Sequence, residues 1–213
     1  MSSMEKNILI RNALIANYNN YAQGIDTKDW SMVRDCFADE VFIDYGALSA
    51  STGDPAVPRQ ADDWVKHLQS VINGFSITQH AITNHRFCIS STEVSCRAYL
   101  SADHVIFSNP EVPVIEDQDV VTVVGEYNNH YIEIDGDWKI LRSELAVHWS
   151  HGNIELFVAA GERALEGRRT VILNPVPVLF AVISPPCCNS ARFAMARPRP
   201  WPPDSRERAE STR

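Results

Sequence analysis

Cysteine is sparse and unpatterned in this chain. The 213 residues hold five, Cys36, Cys88, Cys96, Cys187 and Cys188, with no CxxC pair and no Cys/His spacing of the metal-binding kind. That pattern reads as reduced, mostly buried thiols in a reducing, cytoplasmic setting rather than a disulfide framework. Basic charge is also short. Nineteen Lys and Arg face 27 Asp and Glu, for a formal net charge of −8, which argues against nucleic acid or an anionic membrane as a partner. No apolar run is long enough to span a bilayer. The start, Met1 to Lys6, leads into an amphipathic helix rather than a signal segment. What remains is ordinary for a globular domain with a proper core: 45% hydrophobic and 22% charged residues.

Proline is nearly missing from the first 166 residues, which hold four of the 12. Residues 167–213 hold the other eight, together with eight arginines, three acidic residues and no lysine. The composition therefore changes at Gly167. Two regions are expected: a domain over 1–166 and a Pro/Arg-rich tail over 167–213 that suits an extended, disordered segment.

Within the domain the hydrophobic period changes once. Apolar residues recur at Ile10, Leu14, Tyr18, Tyr21 and Ile25, predicting a helix over 2–24 opened by a Ser2/Glu5 capping box and stopped at Gly24. A short helix follows with Trp30, Val33 and Phe37 on one side, then a strand ending at Tyr45, then a loop from Gly46 to Gln60. A third helix, 61–73, turns Trp64, Leu68, Val71 and Ile72 inward and stops at Gly74. From there the period is two. Strands are expected over 76–90, 93–107, 118–134 and 137–149, the last pair joined by Asp135-Gly136, a type I′ hairpin signal. A helix over 154–165 closes the domain. Helices followed by an antiparallel meander give an α+β class, with a curved sheet packed on three N-terminal helices and a cavity between the layers.

The second long strand carries the sharpest signal. Its even positions, Val94, Cys96, Ala98, Leu100, Ala102, His104 and Ile106, form one face, apolar except for a single imidazole. A histidine there is either a structural core residue bonded to a carbonyl or an active-site group. A turn near residues 91–92 brings His80 roughly opposite His104, so the two rings are expected to meet across adjacent strands. Asp26 ends the first helix and Tyr45 ends the early strand. Asp44 and Asp103 point to the other strand face. His67, His85, His130 and His151 have no motif support and read as surface residues; Cys88 and Cys96 read as core packing.

In order and spacing, Asp26-Thr27-Lys28-Asp29-Trp30, Ile43-Asp44-Tyr45, Thr78-Gln79-His80, the segment from Glu93 to His104, Ile134-Asp135-Gly136 with Trp138-Lys139, and His148-Trp149 resemble the scytalone dehydratase group of the SnoaL-like, nuclear-transport-factor-2-like superfamily over residues 5–165. The resemblance implies a cone-shaped α+β fold, a site without cofactor or metal, a small-molecule substrate and a homo-oligomer, trimer or dimer. It implies acid/base chemistry at His80, a second active-site histidine at His104 oriented by Asp26, and a carbonyl-polarising Tyr45. Substrate contacts fall at Tyr21, Ile25, Tyr127, His148 and, through the similar bile-acid dehydratases, Asp103. The family pattern is broken at Ile25, where it has tyrosine, at Gly125 and Tyr127, where it has serine and asparagine, and at His148, where it has arginine. The expected activity is elimination of water from a cyclic β-hydroxy ketone such as a polyketide. The alternatives are a cyclase or isomerase on the same scaffold and a non-catalytic ligand-binding module.

Overall fold

Alternation in the second half of the chain builds a sheet, and the helical first half covers it. The computed structural model describes residues 2–109, 111 and 114–173, with backbone alone over 168–173. The elements are α1 (Ser3–Thr27), α2 (Trp30–Asp35), β1 (Phe37–Asp44), β2 (Arg59–Gln60), α3 (Ala61–Ile72), β3 (Ile77–Ile89), β4 (Val94–Val105), β5 (Val120–Ile134), β6 (Asp137–Gly152) and α4 (Leu156–Leu173). The six strands form one curved, unclosed sheet in the order β2-β1-β6-β5-β4-β3, so the α+β class holds. The expected Pro/Arg-rich tail falls mainly on residues 174–213, outside the described residues; α4 itself runs past the compositional change at Gly167.

Four details differ from the sequence reading. The sheet is not wholly antiparallel, because β1 lies parallel to β6, with Ile43 beside Ser143. The loop after Gly46 ends in a two-residue strand, β2, paired with β1. Helix α1 does not stop at Gly24 but at Lys28, whose left-handed backbone (φ 58°) lets its N–H donate to the Ile25 carbonyl. Gly24 instead permits α2 to approach: a Cβ there would sit 2.8 Å from Val33 Cγ2. Gly74 plays the same part for α4, since a Cβ would overlap the Ala160 carbonyl.

The predicted starts and turns are present. Ser2 and Glu5 close a capping box on α1, and Asp135 and Gly136 both take positive φ in the β5–β6 turn. Ile10, Leu14, Tyr18, Tyr21 and Ile25 are buried against the sheet, each such side chain contributing about 1.5–3 kcal/mol of burial. The inner face of β4 is Cys96, Ala98, Leu100, Ala102 and His104, all buried.

Bulges reset the alternation elsewhere. In β3 the register shifts between Thr83 and Arg86, where Asn84 has φ 56°. Beyond it the odd residues turn inward. His85 is therefore half-buried beside the Tyr18 ring, at 5.3 Å, and Cys88 is exposed, the reverse of both expectations.

Candidate active site

A cavity of about 280 Å³ opens between the sheet and α1, α3 and α4. Leu68, Val71, Leu100, Val123, Leu145 and Phe157 form apolar walls, and Leu48 and Val158, both exposed, stand at its rim. Six expected site residues line it directly: His80, His104, Tyr45, Tyr21, Tyr127 and the buried Ile25. Asp26 reaches the site from behind, through His80.

The register decides the electrostatics. His104 faces Thr78, and His80 faces Ala102, so the two histidines are offset by two residues rather than directly opposed. Their rings still meet edge to face, with centroids 5.3 Å apart. The offset brings His80, not His104, to the end of α1. His80 Nδ1 lies 2.7 Å from Asp26 Oδ1. The His80 backbone N–H donates to Asp26 Oδ2 at 2.8 Å, and Thr78 Oγ1 donates to Oδ1 at 2.9 Å. The expectation that Asp26 orients His104 is thereby corrected. With Nδ1–H given to the carboxylate, His80 presents Nε2 as its free nitrogen. Burial alone would raise the Asp26 carboxyl, but the hydrogen bonds and charge of His80, with the Thr78 hydroxyl, hold it below the ordinary carboxylate value.

His104 has the opposite surroundings. It is buried, its ring lies 5.0 Å from both Phe75 and Phe157, and its Nδ1 has no hydrogen-bond partner. Burial, followed by the neighbouring charge of His80, pushes it down to about 3, so it is neutral at physiological pH.

The other polar part of the cavity is phenolic. Tyr45 ends β1, with its backbone N–H held by Ser49 Oγ at 2.8 Å and its ring edge-on to Trp64 at 5.1 Å. Its hydroxyl lies 3.0 Å from Ser143 Oγ and 3.5 Å from Tyr21 OH. Ser143 in turn donates to Asn129 Oδ1 at 2.7 Å. Burial raises the Tyr45 phenol, against the lowering effect of its hydroxyl neighbours, which keeps it a neutral potential donor. Tyr127 packs 5.8 Å from Tyr45 and 6.0 Å from Tyr21.

Two expected substrate contacts lie elsewhere. Asp103 is on the outer face of β4, exposed, accepting from Thr122 Oγ1 at 2.6 Å; strand alternation sends odd residues outward there. His148 is also exposed, against Tyr99 and Ser101 on the outer face. Alternation places it there: Leu145 lines the cavity, Val147 shares its parity, and His148 falls on the opposite face, as the extra residue between the Gly125–Val147 and Val124–Trp149 pairs. At Gly125 a Cβ would overlap the Ala146 carbonyl, so no serine fits. The buried serine and asparagine of this site are Ser143 and Asn129, from other positions.

Sequence reasoning missed several contributors. His67, expected at the surface, lines the cavity, stacked 5.4 Å from Trp64. Thr78 shares the His80 face by strand alternation, a signal that was available. Asn129 was equally legible, since β5 alternates unbroken from Val121 to Tyr131 and sets it on the face of Tyr127. Ser143 was harder to place, because an extra residue in β6, Leu141, shifts the alternation ahead of it. As for metals, no group of three or more His, Cys, Asp or Glu side chains among the described residues is arranged to hold one. Nor is any described helix long and apolar enough to cross a membrane.

Known proteins resemble this chain in sequence and in fold. A scytalone dehydratase of Colletotrichum orbiculare is 29% identical over 149 residues, covering 66% of this chain and 74% of its own length. One of Pestalotiopsis fici is 25% identical, covering 68% and 75%. The crystal structure of the Kfla4162 protein of Kribbella flavida superposes with a TM-score of 0.59 at 25% identity, over 71% of this chain and 99% of that one. The SnoaL-like domain family matches residues 7–144, and the chain belongs to it, as a member similar to the scytalone dehydratases.

Proposed function

We propose that the protein eliminates water from a cyclic β-hydroxy ketone, a polyketide or similar secondary metabolite, using only its own side chains. The observation that carries this is the Asp26–His80 pair at the wall of a largely apolar cavity that also holds a neutral phenol. His80 Nε2 takes the proton α to the carbonyl, and the C–H electron pair moves toward the carbonyl as an enolate. Tyr45 donates to that developing oxyanion. The electron pair then forms the C=C bond as the C–O bond breaks. Imidazolium His80 returns its proton to the leaving hydroxide, so water departs and the base is restored. Neutral His104, 5.3 Å away, binds the leaving hydroxyl. Asp26 holds the His80 tautomer and stabilises the imidazolium. The relatives named scytalone dehydratase support the elimination chemistry.

The test is product mass. Purified protein is incubated with a panel of one- and two-ring β-hydroxy ketones and the products are weighed by mass spectrometry. A product lighter by one water is expected. A product of unchanged mass favours isomerisation or cyclisation, and saturable binding with no product favours a binding module.

A further inference from the structure

Behind Tyr45 runs a chain of buried hydroxyls whose direction is set outside the cavity. Tyr45 OH lies 3.0 Å from Ser143 Oγ, Ser143 Oγ 2.7 Å from Asn129 Oδ1, and Asn129 Nδ2 3.5 Å from Tyr131 OH. Neither Ser143 nor Asn129 lines the cavity; they are 1% and 3% exposed. A serine hydroxyl has one hydrogen. Here Ser143 gives it to Asn129 Oδ1, so Ser143 accepts from Tyr45. The Tyr45 hydrogen is then directed away from the cavity, and its oxygen is left to accept from Tyr21, 3.5 Å away.

That polarity is opposite to the one a carbonyl oxygen needs, and the chain is built to reverse. Both ends of the Asn129 amide face a hydroxyl, the group that donates and accepts equally well. A half-turn of the amide makes Nδ2 donate to Ser143 and Tyr131 OH donate to Oδ1. Ser143 then donates to Tyr45, and Tyr45 presents its hydrogen to the cavity. The exchange keeps every hydrogen bond along the chain and gives up only the Tyr131 hydroxyl's contact with Tyr18, whose own hydrogen stays on the Cys96 carbonyl. We propose that Asn129 and Ser143 are positioning residues that set the Tyr45 hydroxyl as acceptor at rest and as donor when an oxyanion occupies the cavity. This rests on the reading of the cavity as a site where negative charge develops on a carbonyl oxygen.

The test uses 4-nitrophenol as an enolate mimic, its absorbance separating bound phenol from bound phenolate, with folding of each variant checked by circular dichroism. Tyr45→Phe removes the donor and should lower the phenolate-to-phenol ratio roughly tenfold or more. Ser143→Ala disconnects Tyr45 from the amide and frees its hydrogen, so the ratio should stay within about threefold of wild type. Asn129→Asp, at a pH where infrared spectra show the new carboxylate ionised, can only accept, and should lower the ratio roughly tenfold. Ser143→Ala combined with Asn129→Asp should recover most of that loss, which separates polarity from simple repulsion by the new charge. A Ser143→Ala loss as large as that of Tyr45→Phe overturns the proposal, as does a double variant no better than Asn129→Asp, or a wild-type cavity that takes up no probe. No turnover is needed, so a failed elimination assay leaves this result standing.

Discussion

His80 and His104 sit on neighbouring strands, ring against ring at 5.3 Å, yet they are different chemical objects. His80 rests on a carboxylate that already holds the Thr78 hydroxyl and the His80 amide. His104 rests between two phenylalanines with a ring nitrogen unpaired. The difference teaches that residue type does not fix the role of an imidazole. A two-residue step in strand register hands the carboxylate to one ring, and burial then denies the other its proton.

Removing the supported ring should do the most damage. His80→Ala is expected to lower elimination turnover by roughly 10²–10⁴-fold, with the far-ultraviolet circular dichroism unchanged. Next comes the support itself. Asp26→Asn offers an N–H where His80 Nδ1 needs an acceptor, which drives the ring toward the wrong tautomer; kcat should fall on the order of 10²-fold while KM moves little.

The unsupported ring should show itself in stability instead. The unfolded His104 protonates near the usual ~6.5, whereas the folded group holds no proton until about 3. Between those values the unfolded chain binds the extra proton, so folding stability from this residue declines as pH falls, by at most about 1.4 kcal/mol per pH unit. His104→Phe should flatten that limb in urea unfolding measured from pH 7 to pH 4. Asp26 acts lower on the scale. Its depressed carboxyl stabilises the fold above the ordinary carboxylate value and loses that contribution as pH drops through the folded value, so its effect survives in the His104 variant. The smallest effects belong outside: Asp103→Asn and His148→Ala, both on the outer sheet face, should leave turnover within about twofold and stability within about 0.5 kcal/mol.

Much of this contrast was legible in the residues, and the limits have physical causes. Period two in β4 correctly turned His104 inward, and the helical period of α1 turned Tyr21 and Ile25 toward the same space. The pairing of His80 with Asp26 needed the register, which sequence alone estimated two residues off. Alternation failed where a bulge added a residue, at Asn84, which exposed Cys88 and turned His85 inward. His148 is outward by alternation from Leu145, and only the family resemblance had set it in the cavity. The parallel β1–β6 pairing that sets Tyr45 beside Ser143 joins segments about a hundred residues apart, and no local pattern announces it.

The most direct test is ¹⁵N nuclear magnetic resonance of the two imidazoles across a pH titration. The account predicts that His80 carries its proton on Nδ1 when neutral and that His104 stays neutral down to the acid end, near pH 4. A His104 that charges near the ordinary histidine value, or a neutral His80 with its proton on Nε2, would contradict it.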